Sequence, residues 1–189
     1  MSARRVFTVI LLTLLTSTAM AECARVAGLE ADALISYLKS VTAGTDPECI
    51  SQAVTKLGAL RAVRGVDALV DFLDFQRPQS EREKYHVADM HDKYPAVSAI
   101  MSVGLPAVPP LVAKLGGGQM SQIARYNGLR TLGFIYRDNP TEAIRALKLA
   151  AAKAEKPDEA YRLNSCAKDL VPFCADSWRG RCESALNEK

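Results

Sequence analysis

Aromatic residues are few in this 189-residue chain, in which one tryptophan, six tyrosines and five phenylalanines make up 6% of the sequence. With so few rings and so much alanine, leucine and valine, packed helices are favoured over sheets. A surplus of one charge is also missing. The formal charge is +3, and Arg4 and Arg5 account for two units of it, so the rest of the chain is close to neutral and lacks the basic excess typical of nucleic-acid binding. No apolar run reaches the roughly twenty residues that a membrane-spanning helix needs. Catalytic signatures are absent too: there is no GxSxG elbow, no phosphate-cradling GxxxxGK[ST], no HExxH and no CxxC. The glycine run at 116–118 follows a helical pattern rather than a strand and reads as a turn between helices.

What is present begins with an export signal. Arg4 and Arg5 precede an apolar core from Val6 to Leu15, and Ala19-Met20-Ala21 forms a small-x-small cleavage site, so residues 1–21 read as a signal peptide cleaved after Ala21. A periplasmic or secreted protein without stable membrane insertion is expected. Cys23 lies near the cleavage site, but Glu22 stands where a lipoprotein signal has a small residue. A lipid anchor is therefore not expected.

Helical punctuation follows. Leu29, Ala33, Leu34, Tyr37 and Leu38 share one stripe of a helix over 28–40. Asp46 precedes Pro47 and Glu48 as an N-cap before a first-turn proline and acid. Val66, Leu69, Val70 and Leu73 recur at helical spacing. The polar interval 76–94 reads as a charged linker or exposed helix.

Residues 54–73 and 96–115 align at an offset of 42, pairing Leu57 with Ala99, Val66 with Val108, Leu69 with Leu111, Val70 with Val112 and Leu73 with Leu115. A looser third copy spans 127–150. Two helices repeated at a period near forty mark a helical solenoid, in which each unit buries its apolar face only against its neighbours. At "KLGALRAVRGVDALVDFL" and "VGLPAVPPLVAKL" the chain resembles the HEAT-like repeat family, over roughly residues 47–154. The expected fold is all-α, a short right-handed α-solenoid of HEAT-like hairpins over 22–156 with a cysteine-containing helical cap at 157–189. The resemblance implies a non-enzymatic scaffold that binds a protein partner in the cell envelope, without a cofactor.

Three groups of residues are candidates for a site. Tyr126, Arg130 and Arg137 project within about 40° of one another at the helical 100° per residue; two arginines beside a tyrosine suit a carboxylate or phosphate, although Asp138 and Glu142 are near enough to pair with them. Asp67, Asp71 and Asp74 form an acidic stripe whose self-repulsion points either to a cationic partner or to neutralisation by Arg64 and Arg77. His86 and His91 are the only histidines. Their spacing of five rotates the rings about 140° apart on a helix, which favours solvated linker residues over the alternative of a metal-binding protein or small enzyme using this segment.

Five cysteines remain after signal cleavage: Cys23, Cys49, Cys166, Cys174 and Cys182. In an oxidising compartment they are disulfide candidates, and an odd number leaves one unpaired. Stacking repeats about 10 Å apart separates the two ends too far for a bridge. Cys23 with Cys49 is one expected pair, with Cys49 joining a folded-back tail as the competitor. If Pro172 starts a new helix, Cys166 faces Cys174 across the bend, leaving Cys182 free. Zinc is disfavoured by the wide cysteine spacing.

Overall fold

Side-chain caps and prolines set the helix starts. In the computed structural model, which describes residues 23–80, 83 and 89–188, the Asp46 carboxylate accepts the Glu48 backbone N–H at 2.9 Å, and Pro47 opens the helix that follows. Ser121 Oγ likewise accepts the Ala124 N–H at 3.0 Å. Prolines occupy the first positions of the helices starting at 95, 140 and 157, where no N–H is needed. Two glycines end helices with left-handed backbone: Gly104 (φ 76°) and Gly118 (φ 77°). The export signal and His86 lie outside the described residues.

The described residues are all helical, without strands. Residues 23–28 form a short helix, α1. Ten more follow: α2 (Ala31–Lys39), α3 (Pro47–Ala59), α4 (Val66–Val70), α5 (Met90–Lys93), α6 (Pro95–Val103), α7 (Val108–Gly117), α8 (Gln122–Ile135), α9 (Pro140–Lys153), α10 (Pro157–Leu170) and α11 (Asp176–Asn187). The stripe expected over 28–40 is thus divided, because Leu29 and Glu30 break the helix before α2.

Packing follows the internal repeat. α3 lies on α6 and α6 on α8, while α4 lies on α7. Every pair aligned at the 42-residue offset, from Leu57 and Ala99 to Leu73 and Leu115, is buried in both copies. After α8 the pattern changes: α9 pairs mainly with α10, and α10 turns back onto α7. Leu163 and Leu170 of α10 thereby enter the same buried cluster as Leu69 and Leu111. Arg162 of α10 closes the end of α7, its Nε donating to the Gly116 carbonyl at 2.6 Å, where a cation also suits the negative end of the helix. No single described helix is long and apolar enough to cross a membrane.

Arg77 pins the start of the polar interval. Arg77 donates from its guanidinium to the Asp92 carbonyl and to Glu83, and its own N–H bonds the Lys93 carbonyl at 3.1 Å. These contacts tie residue 77 to the junction of α5 and α6.

Candidate functional site

The site is built on α8, whose rotation is fixed from its buried side. Asn127 is buried and donates its amide to the Leu73 carbonyl at 2.6 Å. Gly128 lets the side chains of Leu115, Leu111 and Leu73 approach the helix backbone, and Leu129 and Leu132 complete the core face. With those positions turned inward, Ile123, Tyr126, Arg130 and Phe134 fall on the other side of α8. Ile123 and Tyr126 are among the exposed large apolar residues of the protein.

Arg130 is the centre of this face. Its guanidinium lies 5.9 Å from the Tyr126 ring centroid, 5.4 Å from Phe134 and 6.0 Å from Phe173, within the range of cation–π attraction. It donates to the Tyr126 hydroxyl at 3.3 Å. Tyr126 and Phe173 meet edge to face at 5.6 Å, and His91 tilts against Phe134 at 4.7 Å. Among the described residues Arg130 has no carboxylate partner.

Two hollows share Arg130. A cleft of about 220 Å³ is lined by Arg130, Phe134, Arg137, Phe173 and Trp178, with Gly133 and Leu170 also in its wall. A more open hollow of about 500 Å³ is lined by Arg130, Tyr126, Ile123, Tyr94, Met90 and Lys93. Arg181 covers the Trp178 ring at 4.9 Å. Nearby acids do little to neutralise the face: Asp138 lies 3.7 Å from Arg137 with both side chains largely exposed, and Asp176 pairs with Arg179. Among the described residues no carboxylate, histidine or hydroxyl lines the smaller cleft. Its chemistry is that of aromatic rings and two guanidinium groups, which suits recognition of an anion carried next to apolar groups.

The wall bearing Phe173 and Trp178 is held by a disulfide that differs from the expected one. Cys174 is joined to Cys182 with alpha carbons 6.8 Å apart, and Cys166 is the free, buried thiol. Pro172 does not begin a helix; residues 171–173 extend α10 by a 3-10 turn, and the next helix starts at Asp176. Cys174 therefore follows Cys166 along one rod instead of facing it, and the reversal into α11 brings Cys182 back to Cys174. Cys166 looks toward α8, where burial pushes its thiol pKa up against the opposing influence of Arg125. Arg125 itself is held by Asp169. At the other end Cys23 is joined to Cys49 with alpha carbons 4.6 Å apart. Two disulfides fit an oxidising compartment.

The remaining candidates are dispersed. Asp71 pairs with Lys114 of α7, and Asp74 accepts from Ser121 at the start of α8, so the acidic stripe joins neighbouring helices instead of forming one surface. The arginines expected to neutralise it are engaged elsewhere, Arg64 with Asp32 at 3.1 Å and Arg77 with Glu83 at 2.6 Å. Asp67 borders a shallow hollow beside Lys114. Glu142 is taken by Arg145 at 2.6 Å and not by Arg137. His91 is not a solvated linker side chain: it is mostly buried, against Phe134 and 3.9 Å from Asp89. Among the described residues the one cluster of three potential metal-ligand residues is Cys23, Asp46 and Cys49, and its two sulfurs are bonded to each other. The glycine run is also reassigned: Gly116 and Gly117 belong to α7, and only Gly118 turns.

Phe134, Phe173 and Trp178 were not anticipated as site residues. Their signal was scarcity itself, since partly exposed rings stand out in a chain with so few. Comparison with protein-family models, curated proteins and solved structures gives no match.

Proposed function

We propose that this protein is an exported, non-enzymatic scaffold of HEAT-like helical hairpins that binds a protein partner of the cell envelope through the outer face of α8. The observation that carries this reading is the convergence of Phe134, Phe173 and Trp178 around one cleft at Arg130, with Tyr126 packed against Phe173 beside it. Tyrosine, tryptophan and arginine dominate the energetic centres of protein interfaces, where they combine large contact area with a polar tip. The hairpin packing and the burial of both copies of the 42-residue repeat support the scaffold. The disulfides and the signal-like first 21 residues support a periplasmic or secreted location.

The test is affinity capture from the native envelope fraction with wild type, an Arg130→Glu/Arg137→Glu variant and an Asp67→Asn control. Reversing the two charges is expected to leave the melting temperature nearly unchanged while reducing capture of a defined partner at least tenfold. Equal capture by the charge-reversed protein would show that α8 is not the binding face. Elemental analysis of the mature protein addresses the metal-binding alternative, which requires stoichiometric metal.

A further inference from the structure

From the geometry around Arg130 we infer the chemistry of the partner segment: an extended peptide stretch in which an internal aspartate or glutamate is flanked on both sides by large apolar side chains. This inference rests on the protein-binding reading above and makes it specific.

Two features define that segment, and a third makes it measurable. Arg130 has no carboxylate among the described residues, and of its five N–H groups one has a partner there, the Tyr126 hydroxyl. A guanidinium with donors to spare and three rings around it is matched by a planar carboxylate, which takes two parallel hydrogen bonds. The surrounding charge selects the same sign, because Lys93 borders the larger hollow and Arg137 the smaller, while among the described residues neither hollow is lined by an acid.

The second feature is position. Arg130 borders both hollows, so it stands between them and not at the closed end of either. On one side are Phe134, Phe173 and Trp178, and on the other Ile123, Tyr126 and Tyr94. A chain terminus would fill one hollow and leave the other empty. A segment running through places its acid at Arg130 and one apolar side chain in each hollow. An anionic membrane surface is the poorer match, since it would present many phosphates to a concave site whose central cation is enclosed by rings.

The third feature supplies the assay. Trp178 is the only tryptophan of the chain and lines the smaller cleft, so its emission reports occupancy directly. The full mature protein is titrated with acetylated, amidated peptides containing one Glu between Leu and Phe, separated by one, two or three serines on each side. At least one spacing is expected to bind saturably with Kd below about 1 mM, and replacing Glu by Gln to weaken it at least tenfold, as loss of a charged hydrogen-bond partner does. Arg130→Lys is expected to weaken the Glu peptide about tenfold, because an ammonium cannot make the paired contact; Asp67→Asn is expected to change nothing. Circular dichroism checks that each variant retains its helices.

Equal binding of Glu and Gln peptides would overturn the inference, as would no binding by any spacing. Saturable emission changes with phosphatidylglycerol vesicles but not with peptides would overturn it in favour of a membrane surface. Arg130-dependent capture of an envelope protein without peptide binding sinks this inference alone; capture indifferent to Arg130 sinks the broader reading as well.

Discussion

Gly58 of α3 lies so close to Ala99 of α6 that a methyl group at position 58 would stand 2.5 Å from the Ala99 Cα and 2.7 Å from its Cβ. The obstacle is largely backbone, so it cannot swing aside as a side-chain tip would. In an unobstructed helix Gly→Ala gains up to about 1 kcal/mol. Here the two helices must separate, and overpacking of this kind costs about 1–3 kcal/mol. Gly58→Ala is therefore expected to lower the melting temperature by several degrees in calorimetry. The same exchange at Gly117, where nothing lies within 4 Å, is expected to be neutral or stabilising. Equal effects at the two positions would show that α3 and α6 are not in such close contact.

A second prediction concerns the residue that orients α8. Asn127 is buried, and its amide reaches the Leu73 carbonyl 54 residues earlier. Replacing it by leucine leaves that carbonyl without its donor, at an expected cost of about 1–3 kcal/mol. Asn127→Asp is expected to be worse, because a carboxylate would face the carbonyl. Chemical denaturation measures both, and the order Asp below Leu below wild type is the expected result. Trp178 emission should shift in both variants, since Asn127 fixes the helix that forms one side of the cleft.

Local signals in the sequence were reliable where they involved neighbouring residues. Asp46, Pro47 and Glu48 start α3 as their order implies, and the positions repeated at an offset of 42 are buried in both copies. Such features depend on one helix turn or one apolar stripe. Relationships across the fold were less legible. Lys114 neutralises Asp71 from 43 residues away, whereas the nearer arginines considered for that role have other partners. Tyr126 and Arg130 were identifiable as a pair at helical spacing, but Phe173 reaches them only because α10 returns to the earlier helices. The Pro172 signal was ambiguous in itself, since proline fits the start of an α-helix and a 3-10 turn equally well.

The cysteine assignment leads to a third prediction. Native protein is expected to resist thiol reagents, because Cys166 is buried and its pKa is raised. Denaturation without reductant should then expose one reactive thiol per chain. Peptide mapping is expected to recover Cys23 with Cys49 and Cys174 with Cys182; a Cys166–Cys174 peptide would contradict the arrangement of α10 and α11. Cys166→Ala should retain both bridges. Replacing Cys174 and Cys182 together by alanine should cost about 2–4 kcal/mol and loosen the wall that carries Phe173 and Trp178.

The Arg77–Glu83 contact makes the polar interval sensitive to acid. Glu83 accepts from Arg77 at 2.6 Å and from the Ser80 backbone N–H at 2.8 Å. The Arg77 hydrogen bond, followed by those from Ser80, lowers its pKa from 4.5 to about 2. Because the folded pKa lies below the unfolded one, the contact contributes fully above the ordinary glutamate range. Its contribution declines as the pH falls from about 4.5 towards 2. An NMR titration of the Glu83 carboxyl should give a midpoint near the lower value, and Arg77→Gln should move that midpoint most of the way back. Hydrogen-exchange protection around Arg77 and Lys93, taken relative to the intrinsic exchange rate at each pH, should fall over the same acidic interval in wild type and be low throughout it in the variant. A Glu83 midpoint that stays in the ordinary range would show that this latch does not persist in solution, and the interval before α5 would then have to be held by the Arg77 contacts to the Asp92 and Lys93 carbonyls and by Gln76 at the Tyr94 hydroxyl.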